Sequence, residues 1–113
     1  MFTKLTEQNG CAIAEFTDVK RFTLAIIEDV KAELKPTLST EGKKVILNLE
    51  NIEFIDSSGI GCIISLIKTA KSHNSGIKLC NLSKEVKGIF ELLHLQMILD
   101  IEQDVESAIK KFN

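Results

Sequence analysis

The chain has 113 residues, 44% hydrophobic and 27% charged, with a formal net charge of -2. This length and apolar content predict one domain over residues 1–113 with a single core, and they exclude a disordered chain. No basic patch with interleaved aromatics occurs and no apolar run approaches a membrane span, so neither nucleic acid nor a bilayer is an expected partner.

No secretory signal opens the chain, which predicts a soluble cytoplasmic protein. Cys11, Cys62 and Cys80 are odd in number, widely spaced and set in apolar segments. They read as core thiols in a reducing compartment rather than a disulfide frame. No group of His, Cys, Asp or Glu has metal-ligand spacing, and no cofactor is expected.

Met1 to Thr6 reads as an edge strand, and Asn9-Gly10 as a hairpin turn into a partner strand, Cys11 to Phe16. From about Val19 the apolar period changes. Val19, Phe22, Ile26, Ile27, Val30 and Leu34 recur at three and four, with charges opposite. This predicts an amphipathic helix that Pro36 ends. Glu41 to Lys44 turns into the strand Val45–Leu49, apolar except Asn48 and therefore expected in the sheet interior.

The next helix opens after Asp56 and runs to about His73, where Asn74-Ser75-Gly76 stops it. Ile77–Leu82 is a further strand. Ser83 caps a helix with Val86, Ile89, Phe90 and Leu93 on one face. Met97–Ile101 reads as a last short strand, and Asp104 caps a final helix to Phe112. The order is ββαβαβαβα. It predicts an α/β fold with a mixed sheet of about five strands and about four helices, mostly parallel after an antiparallel hairpin.

The most informative stretch is Phe54-Ile55-Asp56-Ser57-Ser58-Gly59-Ile60-Gly61. It joins an apolar strand to a helix through one carboxylate, two hydroxyls and two glycines. The first N–H groups of a helix lie unpaired at such a junction and favour negative charge. Ser57 is there either a helix cap or a place for a phosphate, and Asp56 or Ser58 is equally able to be the cap. In the helix, Ile60, Cys62, Ile63, Ile64, Leu66, Ile67 and Ala70 cover an arc of about 200°, wider than packing on one sheet needs. Ile60 and Ile64 lie at its edge beside Ser57, and Gly61 leaves bare backbone on the other side. The frame reads as a docking patch, or else as an edge covered by the neighbouring helix.

Two enzyme readings are weaker. A hydrolase needs a base beside its nucleophile. Ser57 is in no G-x-S-x-G elbow, and His73 and His94 both fall far from it along the helices. Nucleotide binding lacks a G-x-x-x-x-G-K-[ST] or G-x-G-x-x-G string. The chain is not expected to be an enzyme.

The order of elements, with Val45–Leu49 followed by Asp56-Ser57-Ser58-Gly59-Ile60-Gly61, resembles the STAS domain family and, within it, bacterial anti-sigma factor antagonists. The resemblance runs from about residue 43 to 112. It implies a partner switch. Ser57 would be phosphorylated by a serine kinase that is also the anti-sigma factor. The unphosphorylated form would bind that factor and free a sigma factor, and a serine phosphatase would restore it. Asp56, Ser58 and Gly59 are the implied neighbours of the phosphosite. Ile60, Gly61 and Ile64 fall on the partner surface. The family often has a G-E-L-D string after its second strand; here Ala14-Glu15-Phe16-Thr17-Asp18 stands, and Asp18 takes the aspartate's place from a shifted position. STAS domains also serve as unphosphorylated scaffolds in signalling or transport complexes, which is the alternative reading.

Overall fold

The computed structural model describes residues 2–113. Strand β1 (Thr3–Gln8) and strand β2 (Cys11–Phe16) form an antiparallel hairpin. Asn9 and Gly10 both take positive φ, 52° and 82°, as a two-residue hairpin turn of matching twist demands. Met1, predicted to begin β1, lies outside the described residues.

The next segment departs from the predicted helix. Arg21–Phe22 is a short strand, β3, and helix α1 spans only Ile27–Leu38. Phe22 fits a helical period and an extended one equally. Hydrogen bonding decides between them, because the Lys20 carbonyl accepts the Glu53 N–H at 2.7 Å. Pro36 does not end α1 but lies inside its last turn. It only withholds the N–H that the Ala32 carbonyl would have accepted. Leu38 is fully buried, and the Ser39 N–H closes the turn on the Lys35 carbonyl at 2.8 Å.

Strand β4 (Lys44–Asn48) leads to a second short strand, β5 (Phe54–Ile55), and to helix α2 (Ser57–Ser72). Strand β6 (Gly76–Cys80), helix α3 (Lys84–Leu92), strand β7 (Ile101–Glu102) and helix α4 (Val105–Phe112) complete the order. Ser83 and Asp104 cap α3 and α4 as predicted, accepting the N–H of Val86 and Ser107.

The predicted strand Met97–Ile101 shrinks to β7. Leu95–Met97 is a single 3-10 turn, entered through His94 in the left-handed region at φ 58°. Leu95 and Leu99 are buried while Met97 and Ile98 are exposed. A spacing of four with its opposite face in water is a helical pattern, not a strand's alternation.

The main sheet has the order β1-β2-β4-β6-β7, antiparallel at β1–β2 and parallel elsewhere. β3 and β5 pair in parallel as a separate two-stranded sheet. β4 is central, and Val45, Ile46 and Leu47 are buried on both its faces. The larger core lies between the sheet and α1, α2 and α3; the smaller holds Cys11, Ile13, Ile46 and Cys80 under α4. Burial of each such side chain contributes about 1.5–3 kcal/mol. Asn48, the polar residue of β4, is buried with its Oδ1 accepting the Glu50 N–H and the Asn81 side-chain amide. It fixes the turn by which the chain leaves the sheet toward the Ser57 segment.

Candidate functional site

β5 delivers the chain to the first turn of α2. Asp56 is the N-cap: its backbone is extended and its Oδ1 accepts the Gly59 N–H at 3.0 Å. Its carbonyl accepts the Ile60 N–H at 3.1 Å, the first bond of the helix proper. The cap is therefore a carboxylate, and the Ser57 hydroxyl is not consumed in that role. Ser57 is the first helical residue and is exposed; Ser58 is partly exposed. Their amides belong to the unpaired first turn, where partial positive charge gathers.

Gly59 is buried and needed as glycine. A Cβ there would strike the Phe22 carbonyl oxygen and lie 2.7 Å from Ile55 Cγ1. The close approach seats the helix start directly on the β3–β5 pair. Gly61 differs. It is exposed, and a Cβ there would meet nothing within 4 Å. Ile60, expected at the edge of a docking patch, is buried at 9% exposure within the main core, so its side chain has little surface to offer. Ile64 is partly buried and packs against the same core while keeping some exposure.

Asp18 is exposed and left-handed at φ 54°, a conformation Asp tolerates better than most side chains. It lines a surface hollow of about 530 Å³ with Val19, Lys20, Glu50, Asn51 and Glu53. The hollow borders the segment that pairs with β5. Sequence reasoning missed this second sheet and two of its residues. The Arg21 guanidinium lies 4.3 Å from the centre of the Phe54 ring, a cation–π contact two residues before the Asp56 cap. The facing stubs Arg21-Phe22 and Phe54-Ile55, each a charged or aromatic residue beside an apolar one, were the available signal.

His73 is the C-cap of α2, about 24 Å from Ser57 along the 16-residue helix. Its Nδ1 lies 2.9 Å from the Thr69 carbonyl. Among the described residues, no group of three or more His, Cys, Asp or Glu is placed to hold a metal ion. Among the same residues no helix is long and apolar enough to cross a membrane.

Residues 5–108 match the family model described as the STAS domain. The chain belongs to the STAS domain family. A curated relative, the anti-sigma-B factor antagonist of Bacillus subtilis (strain 168), is 27% identical over 73 residues, covering 65% of this chain and 67% of that protein. Among solved structures, an anti-sigma-factor antagonist (STAS) domain protein from Planctomyces limnophilus superposes with a TM-score of 0.86 at 18% identity, over 96% of each chain. The Bacillus cell fate determinant SpoIIAA in its phosphorylated form superposes with a TM-score of 0.67 at 17% identity, over 98% of this chain and 99% of that one. The STAS fold expected from the element order is thus the fold observed, with the β3–β5 pair as a second sheet beside the five-stranded one.

Proposed function

We propose that this STAS protein is an anti-sigma factor antagonist that works by partner switching. In this reading it is a regulatory binding protein and not an enzyme, a role in keeping with relatives named anti-sigma-B factor antagonist. In this reading it is a cytoplasmic, single-domain protein. It binds an anti-sigma factor that is also a serine kinase, and it is released when that kinase phosphorylates Ser57. A serine phosphatase returns it to the binding form.

One observation carries the reading: Ser57 is exposed at the first position of α2 while Asp56, not Ser57, caps the helix. A phosphate there adds about -1.5 to -2 charge at a helix start that tolerates it. The fold loses no bond, and only the surface changes. A partner surface shaped for a neutral hydroxyl then faces an unpaired charge, which costs several kcal/mol when buried. About 3 kcal/mol already lowers affinity roughly a hundredfold. Exposed Gly61 admits a partner's backbone close to Ser57, the remaining surface of Ile64 adds apolar contact, and Asp18 extends the contact along the β3–β5 side. Ile60 supports the first turn from beneath.

The test is incubation with ATP and the candidate kinase, followed by intact mass and peptide mapping. The reading expects one phosphate, on Ser57, and loss of kinase binding once it is added. Absence of phosphate with binding retained would leave the scaffold reading in its place.

A further inference from the structure

The sequence holds a single arginine, Arg21, among its 14 basic residues. It is exposed on β3, with its guanidinium over the ring of Phe54. The ion pairs among the described residues are Lys20–Glu53, Lys78–Asp100 and Lys110–Glu106, and Arg21 is in none of them. Its planar fork of donors rests on a ring and is committed to no anion.

The register puts this cation beside the Ser57 turn. Arg21 pairs with Phe54, and Phe22 with Ile55. Side chains alternate along a strand, and Asp56 is still extended. Phe22 and Ile55 are therefore the buried side, and Arg21, Phe54 and Asp56 share the other. The Asp56 carboxylate turns from that face onto the Gly59 N–H, so the open first turn of α2 lies over it. One atom ties the turn down on either side of Ser57: the Phe22 carbonyl oxygen accepts the Asp56 N–H at 3.5 Å and lies against Gly59. The path from the Arg21 Cα through that oxygen to the Ser57 Cα is about 15 Å, and the straight line is shorter. A long arginine and a phosphoserine close such a gap from both ends.

We propose that Arg21 is the internal counter-ion of a phosphate on Ser57: it leaves the Phe54 ring and pairs with the phosphate oxygens when Ser57 is modified. This deepens the partner-switching proposal and rests on Ser57 as its phosphosite. A guanidinium matches two phosphate oxygens with parallel N–H bonds, which an ammonium cannot do. A cation–π contact at an exposed site is weak, so a phosphate outcompetes it. One arginine offsets only part of a charge of about -1.5 to -2, so the modified surface stays negative and the switch keeps its sign. The ring face of Phe54, uncovered by the move, changes the same surface a second time.

The test uses the full chain with phosphoserine installed at position 57 by genetic encoding, so that no kinase is needed. Phosphorus NMR follows the second ionisation of the phosphate, ordinarily near pH 6. A facing guanidinium favours the dianion and lowers that pKa, so Arg21→Gln should raise it by about 0.5 unit or more. Lys20→Gln, at the adjacent cation, should leave the wild-type value. Denaturant should bring all three proteins to one value. Equal values for wild type and folded Arg21→Gln overturn the proposal. So does an equal rise in Lys20→Gln, since the effect would then be the general field of nearby cations. A second measurement needs no variant at Arg21. The side-chain N–H signal of the one arginine should move when phosphoserine replaces Ser57, and a signal that stays in place overturns the proposal. Failure of a kinase to modify Ser57 would remove the partner switch and leave both measurements unaffected.

Discussion

The Phe22 carbonyl oxygen lies against the Cα of Gly59, with no room for a Cβ between them. This contact joins a strand outside the main sheet to the first turn of α2, and it involves rigid backbone on one side. Gly59→Ala should therefore destabilise the fold by about 2 kcal/mol or more, as overpacking against atoms that cannot swing aside does. Gly61→Ala, two residues on and facing open space, should stabilise by about 0.5–1 kcal/mol, because alanine is the better helix former. Urea denaturation of both variants checks the pair, and equal effects would refute the asymmetry.

The Ser57 series separates capping from switching. Ser57→Ala should cost well under 1 kcal/mol, whereas Asp56→Ala, which removes the carboxylate bonded to Gly59, should cost about 1 kcal/mol. Toward an anti-sigma partner, Ser57→Ala should bind as the unmodified protein does. Ser57→Asp should bind at least tenfold more weakly, a loss of about 1.4 kcal/mol, and less weakly than the phosphoprotein. Titration calorimetry across the four forms reads the order directly.

Glu33 links stability to pH. Burial raises its pKa, but hydrogen bonds donated by the Thr3 hydroxyl and by the backbone of Phe2 and Thr3 outweigh that and hold the carboxyl below the usual range. A pKa depressed by folding contributes stability that is complete above the unfolded value and disappears as pH falls through the folded one. Glu33→Gln should thus lower stability by about 1 kcal/mol at neutral pH, allowing for solvent screening, and the gap from wild type should narrow as acid protonates the folded carboxylate. Denaturant midpoints at several pH values test it. A gap that widens on acidification would reverse the assignment.

The cysteines should be inert. Burial pushes the Cys62 thiol up to about 11 and the Cys80 thiol to about 12, so almost no thiolate exists at neutral pH. Cys11 is fully buried as well. Iodoacetamide should modify none of the three in the native protein and all three in denaturant, followed by mass. Rapid labelling of the native chain would show that the core opens more often than its packing implies.

What the sequence made legible was periodicity held over long stretches and chemistry tied to a turn. The hairpin at Asn9-Gly10, the central strand with its buried Asn48 and the caps at Ser83 and Asp104 all stand where local rules put them. The losses have one cause. Wherever an element is held by partners distant in sequence, the local pattern misleads. Val19 to Phe22 fits a helix until the Glu53 N–H bonds the Lys20 carbonyl. Met97 to Ile101 looks like a strand until Leu95 and Leu99 pack together in the core. At the site, the same limitation hid the burial of Ile60 and the Arg21–Phe54 contact. The cap was undecidable from three adjacent oxygen-bearing residues, since backbone direction chooses among them.

The bonds at Glu33 also bear on how the molecule meets its own kind. β1 is the outer strand of the sheet, and the Phe2 carbonyl turns inward to accept the Thr17 N–H at 2.9 Å. The Thr3 amide consequently turns outward, toward any strand that arrives from solvent. It is already engaged by Glu33 at 2.7 Å. An incoming strand must displace a carboxylate to begin pairing there, and the exposed Lys4 and Glu7 flank what remains. This is the kind of obstruction that keeps open sheets from adding to one another. Because the obstruction is strongest as the ionised form of one side chain, acid that weakens the fold should also loosen the block on the strand, so the onset of aggregation should track the onset of acid unfolding.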